Sequence, residues 1–261
     1  SVGDAPPQFC SLMPYKIRYV LLVASLYDRF ILEQYGLLGD QVANDFLVSH
    51  GLSYAPEIVR VSNGQEAVDI IRHSDQFDLV LTTMHLDDDD VFATATEIKK
   101  VQPNLPIAVL VYNERELAQL HRGNRVEQFA GTFFWQGDFR ILFGIVKSIE
   151  DRANVAHDTK VVGVQSIIMV EDNIHFSSSF LTILYSELLK QSQRLITEGV
   201  NLPHKFLRMR ARPKLLFCRN FEEAEEMFNN YKDHVLGILS DVEFPKAGQL
   251  DPLAGLALAR T

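Results

Sequence analysis

Cysteine is scarce: Cys10 and Cys218 are the only two in 261 residues. That excludes a disulfide framework and leaves no cysteine set for a zinc site. It fits a reducing, cytoplasmic setting. Positive charge is also short, with 25 Lys and Arg against 34 Asp and Glu and a net charge of −9. A nucleic-acid footprint across the whole chain is therefore not expected. The apolar run YVLLVASLY at 19–27 is too short to cross a bilayer and lacks the flanks of a signal peptide. No membrane partner is expected from it. Neither the P-loop pattern nor a G-x-G-x-x-G run occurs, so nucleotide binding has no motif behind it. The eight histidines, His85, His121 and His175 among them, show no ligand spacing.

What is present is a globular composition, 47% apolar and 23% charged. The length suggests two domains. Charge is uneven: residues 1–155 carry −8 and residues 156–261 carry −1. Short apolar runs rich in Val, Ile and Leu alternate with helix-like segments. Strands are expected at 17–23, 57–61, 78–83, 106–112 and 131–135. Helices are expected at 27–50, 65–74, 94–101, 114–122 and 138–154. Five strands alternating with five helices imply a parallel sheet covered on both faces. Trp135, Phe133 and Phe134 read as core. The acidic run Asp87–Asp90 lacks the alternating ligands and glycine of a calcium loop and reads as solvated.

The polar stretch HDTKVVG at 157–163 then reads as a link to a second series. Strands are expected at 166–170, 214–218 and 236–240, with helices at 174–197, 221–231 and from 253. The second half thus repeats the first three βα units of the first. The expected domains are 1–155 and 156–261, the latter with a long helical insertion at 174–213. It is expected to be truncated after its third strand and helix. The basic stretch HKFLRMRARPK at 204–214 reads as a solvated connector or a contact to an acidic partner.

Acids stand where two of these strands stop. Glu171 and Asp172 follow the first strand of the second series, Asp241 follows its third, and Glu243 lies just beyond. In an open parallel sheet, chemistry collects at the carboxyl ends of strands, and the first and third strands of such a series are neighbours. Three carboxylates in one pocket repel unless a cation or a chemical task holds them. Oxygen-only ligands suit Mg²⁺, and Asp241 is placed to act as a nucleophile. Two other readings stand beside this one. Glu171 and Asp172 could be a pair favouring a helix N-terminus. Asp241-Val242-Glu243 could belong to an aspartate-nucleophile phosphatase.

The string IIMVEDN at 167–173, followed by ILSDVEFP at 238–245, resembles the receiver domain of two-component response regulators. The resemblance implies a flavodoxin-like (βα)5 fold. It implies Mg²⁺ on Glu171, Asp172 and Asp241, with the backbone carbonyl of Glu243 also reaching the metal, and Asp241 as phosphoacceptor. Pro245 matches a frequent proline in the loop after the acceptor. A histidine kinase or phosphotransfer protein is the implied donor, and a homodimer a further partner. No turnover is implied, so the chain is not expected to be an enzyme.

The first half resembles the same fold with the chemistry removed. Alignment puts Ala24 and Ser25 at the acidic pair, Thr83 at the acceptor, Val111 at the switch hydroxyl and Gln136 at the lysine. All five depart from the pattern, so the first domain resembles a pseudo-receiver and is expected to act by protein contact. The run from VEDNIHF through LRMRARPKLLFC to SDVEFPKAGQLDP is also similar to receiver-like regions that precede phosphoenolpyruvate synthase-type enzymes. The expectation is thus a tandem signalling module. Its alternatives are a non-phosphorylated scaffold and the phosphatase.

Overall fold

The computed structural model describes residues 12–36, 55–87, 90–122, 126–194 and 212–260. The described parts fall into two compact units, one of residues 16–145 and one of Val146–Thr261 with Ser1–Tyr15.

The first unit holds five strands: β1 (Tyr19–Val23), β2 (Glu57–Val61), β3 (Leu79–Thr83), β4 (Ile107–Val111) and β5 (Gly131–Phe134). They lie in the order β2-β1-β3-β4-β5, every neighbouring pair parallel. This is the flavodoxin-like order. β3 (LVLTT) and β4 (IAVLV) are buried along their whole length. Continuous β-branched and leucine runs suit a sheet covered on both faces. Each such side chain contributes about 1.5–3 kcal/mol when withdrawn from water.

The helices are α1 (Leu26–Gln34), α2 (Gly64–His73), α3 (Val91–Val101) and α4 (Glu114–His121). Each starts on a side chain that accepts from the first turn: Ser25, Asn63, Asp90 and Asn113. Asp90, at the end of the acidic run, therefore acts as a helix cap. Trp135 and Phe134 are buried as expected. The expected helix at 27–50 is observed only as α1, which ends at Gln34 with Tyr35 as its cap and Gly36 at positive φ; residues 37–50 lie outside the described residues.

The helix α5 (Arg140–Val162) corrects one expectation. The stretch 157–163 is helical through Val162 rather than a link, and the 155/156 boundary falls inside this helix. Within that stretch Asp158 is fully buried, on the helix face that also buries Glu150, Asp151 and Asn154.

The second unit has a three-stranded parallel sheet in the order β7-β6-β8, from β6 (Ser166–Val170), β7 (Lys214–Cys218) and β8 (Val235–Ser240). The helices α6 (Ile174–Arg194), α7 (Phe221–Tyr231) and α8 (Ala254–Leu258) follow the three strands. A hydrophobic core joins Ile168, Val170, Leu216, Phe221, Ala224, Phe244 and Leu258. On α6 the buried face is Leu181, Tyr185 and Leu189 at i, i+4 and i+8, whereas Phe176, Phe180 and Ile183 are exposed. Among the described residues β8 pairs on one side only, and it exposes Leu236 and Leu239. Between β8 and α8 lies a hairpin that sequence reading did not anticipate, β9 (Phe244–Lys246) and β10 (Gln249–Asp251). Ala247 and Gly248 both have positive φ, which closes a two-residue turn of the kind that matches strand twist.

The basic stretch at 204–214 is described only from Arg212. Arg212 and Lys214 are buried, not solvated. Arg212 donates two bonds to Asp151, of 2.8 and 2.9 Å, and the Tyr185 hydroxyl donates to the same carboxylate at 2.9 Å. Lys214 Nζ lies 2.7 Å from Asp158 Oδ2. Asp151 also accepts from the Leu215 amide at 3.0 Å, which ties α5 to the start of β7. Among the described residues no helix is long and apolar enough to cross a membrane.

Candidate phosphoacceptor and metal site

The ends of β6 and β8 set the second unit's acids. The sheet ladder runs one step past each strand: the Glu171 amide donates to the Cys218 carbonyl and the Asp241 amide to the Val170 carbonyl, both at 3.1 Å. These bonds fix the two backbones side by side. Glu171, Asp172 and Asp241 each bring a carboxylate oxygen within 4.8 Å of the others, the one such group of metal-ligand type among the described residues.

Local bonds orient the group. Asn173 starts α6 by accepting from the His175 amide at 2.9 Å, and its own amide donates to Glu171 Oε1 at 3.1 Å. Asp241 Oδ1 accepts from the Val242 amide at 2.6 Å, and the Ser240 hydroxyl donates to the Asp241 carbonyl at 2.7 Å. Glu171 is buried, Asp172 half-buried and Asp241 exposed. Burial pushes the Glu171 carboxyl above its ordinary range. The Asn173 amide opposes that shift, and the charges of Asp241 and Asp172 add to it. A divalent cation would relieve this repulsion, and the all-oxygen donor set suits Mg²⁺. The exposed Asp241 is the acid open to an incoming group. His175 is half-buried, the second residue of α6. Glu243 is exposed directly before β9.

α8 presses on the loop that follows β8. The Gly255 amide donates to the Val242 carbonyl at 3.0 Å. A Cβ on Gly255 would sit 2.4 Å from the Asp241 carbonyl oxygen and 3.1 Å from Val242 Cα. Only glycine permits that approach.

In the first unit the corresponding strand ends carry different groups. Ala24 and Ser25 follow β1, Thr83 and Val111 end β3 and β4, and Gln136 lies two residues past β5. Ala24, Thr83 and Val111 are buried. Ser25 Oγ caps α1 at 3.1 Å, and Thr83 Oγ1 donates to the His85 carbonyl at 3.0 Å. No acid stands at these five positions. Sequence reading missed the acids that do gather nearby. Asp28 on α1 and Glu116 on α4 are both buried and flank His85. Glu116 was accessible as the third residue after Asn113, a capping-box spacing.

No protein-family profile matches the chain, and no curated protein does. Solved structures of receiver type match about half of it. The phosphorylated cyanobacterial phytochrome response regulator RcpA is 22% identical over 52% of this chain and 92% of its own, with a TM-score of 0.37. The response regulator TrrA of Thermotoga maritima, solved in complex with Mg²⁺–BeF, is 17% identical over 51% of this chain and 99% of its own, TM-score 0.38. The receiver domain of a Pseudomonas aeruginosa sensor histidine kinase, with magnesium in its cleft, is 18% identical over 50% and 94%, TM-score 0.36. These are likenesses of fold. The likeness to regions preceding phosphoenolpyruvate synthase-type enzymes finds no support among them.

Proposed function

We propose that the chain is a response-regulator-like signalling module whose second unit accepts a phosphoryl group on Asp241. One observation carries the reading: the meeting of Glu171, Asp172 and Asp241 within 4.8 Å where two neighbouring parallel strands end. Structural pairs of acids at helix starts do not require a third from another strand. Glu171, Asp172 and Asp241 would hold Mg²⁺, with the Glu243 carbonyl as a further oxygen. The bound ion supplies charge neutralisation around the phosphoryl oxygens.

The chain's own part is nucleophilic. A carboxylate oxygen of Asp241 attacks phosphorus in line. The O–P bond forms as the P–N bond of a donor phosphohistidine breaks, and the released imidazole nitrogen takes a proton from solvent. The donor is a histidine kinase or phosphotransfer protein. The new group adds about −1.5 to −2 charge beside the Ser240–Val242 loop and α8, a local change suited to biasing a partner or homodimer contact. The first unit, with no acid at its five corresponding positions, acts by protein contact, and the module works in the cytoplasm.

The test is labelling of the intact chain by acetyl phosphate, with and without Mg²⁺, read by mass. One added phosphoryl that depends on Mg²⁺ is the expected result. No adduct, with no binding of Mg²⁺, would shift the second unit to a scaffold role.

A further inference from the structure

Four side chains of the first unit converge at the carboxyl ends of its strands, apart from the site described above. Asp28 comes from the first turn of α1, His85 from the loop after β3, Tyr112 from the end of β4 and Glu116 from the first turn of α4. Asp28 and Glu116 are each only 5% exposed. Asp28 Oδ2 and Glu116 Oε1 both lie 3.9 Å from His85 Nδ1. That is beyond a hydrogen bond, so the imidazole stands between two carboxylates without satisfying either. Asp28 Oδ2 is buried without a hydrogen-bond partner, and so is the Tyr112 hydroxyl oxygen.

Glu116 is held in place: Oε2 accepts from the Tyr112 amide at 2.8 Å and Oε1 from Asn113 Nδ2 at 2.7 Å. Each oxygen keeps a second lone pair. Among the described residues, no Lys or Arg pairs with either carboxylate. Burial pushes the Asp28 carboxyl up, opposed by Thr83 and His85 and reinforced by Asp87. A buried carboxylate oxygen without a donor is costly, and a bound donor would remove that cost.

The spacing selects the kind of cation. Among the described residues, three groups of metal-ligand type come within 4.8 Å of one another only at Glu171, Asp172 and Asp241. Asp28, His85 and Glu116 do not form such a group, although His85 Nδ1 is 3.9 Å from each acid. Ligands of a bare metal at roughly 2.1 Å stand at most about 4.2 Å from one another. A cation that hydrogen-bonds reaches about 2.8 Å to each acceptor, and so spans up to about 5.6 Å. We infer that this cluster binds an ammonium or guanidinium group between Asp28 Oδ2 and Glu116 Oε1, with the Tyr112 oxygen as a further acceptor and the exposed His85 ring at its outer side. The inference does not depend on phosphoryl acceptance by Asp241. It gives the first unit's contact role a chemical class, a basic group.

The experiment is a titration of the full ¹⁵N-labelled chain with methylguanidinium and methylammonium at constant ionic strength, followed by amide NMR. Saturable shifts at Ser25, His85 and Tyr112 are expected, with Kd in the millimolar range, about 1 mM. Asp28→Asn should weaken binding about tenfold or more. It removes a charge that burial disfavours, so its Tm should equal or exceed that of the unsubstituted chain. Glu116→Gln provides a second, independent loss of binding. A capped arginine peptide binding much more tightly than methylguanidinium assigns the cation to a protein side chain, and equal binding assigns it to a free small cation. Absence of saturable shifts, unchanged affinity in both variants, or Mg²⁺ binding at these amides in place of the organic cations would overturn the inference.

Discussion

Gly255 and Asp241 are in backbone contact: the position a Cβ of Gly255 would take lies 2.4 Å from the carbonyl oxygen of Asp241. The neighbouring bond from the Gly255 amide to the Val242 carbonyl, 3.0 Å, holds α8 against the loop that carries Asp241. The loop's shape therefore depends on a missing side chain. Gly255→Ala must move either α8 or the acceptor, at a cost of about 1–3 kcal/mol. Displacing the nucleophile by a fraction of an ångström should slow phosphoryl acceptance on the order of tenfold to a hundredfold. Rates of acetyl phosphate labelling, compared with urea midpoints, check both parts.

The Asp151–Arg212 pair is a structural counterpart to that functional contact. Both side chains are almost fully buried, and Tyr185 and the Leu215 amide complete the carboxylate's bonds. Asp151→Asn leaves Arg212 charged and unmatched in the interior. The expected loss is about 3–5 kcal/mol in urea unfolding.

The same pair sets a response to acid. Burial alone would raise the Asp151 carboxyl, but Arg212 and Lys214 outweigh it and hold it below its ordinary 3.8. A depressed carboxylate contributes stability that is present above the unfolded value of 3.8 and is lost as pH falls through the lower folded value. Arg212→Met removes the larger opposing charge, so its acid unfolding should begin at higher pH than that of the unsubstituted chain. Urea titrations between about pH 2 and 7 measure this.

Cys218 ends β7 with its thiol buried, and burial pushes that thiol up to about 12. Thiolate is the reactive form, so in a Cys10→Ser background the folded chain should resist thiol reagents. One equivalent should react once urea opens the second unit. Fast labelling without denaturant would show that β7 is not packed as described.

Thr83 offers a test of the first unit. Its side chain is wholly buried and donates to the His85 carbonyl at 3.0 Å. Thr83→Asp restores an acceptor type at that strand end, but Ala24 and Ser25 supply no acids for a cation. The variant should gain no phosphoryl group and should lose about 1–3 kcal/mol, because a buried charge is added close to Asp28. A second phosphoryl on this variant would refute the degenerate reading.

The fold was largely legible because the strands are continuous apolar runs bounded by helix caps. The expected spans 57–61, 166–170, 214–218 and 221–231 match the observed elements residue for residue. The hairpin after Asp241 escaped because its strands are three residues long and carry a proline, beneath any periodic signal. The end of α5 and the stretch at Arg212–Lys214 were misread for one shared reason. Polar residues usually mark surface, but here Asp151, Asp158, Arg212 and Lys214 neutralise one another inside. The second unit's acids were legible because each abuts a strand end. The Asp28–Glu116 cluster was not, because its members come from four separate element ends or loops. Only packing brings them together.

The central claim is that Asp241, and no other group, takes the phosphoryl. The direct measurement is to label the chain with acetyl phosphate and Mg²⁺, reduce the acyl phosphate with borohydride and map the resulting homoserine by peptide mass. The account predicts homoserine at position 241 alone, abolished in Asp241→Asn and without Mg²⁺. Homoserine at Asp172, at any acid of the first unit, or at no position would contradict it.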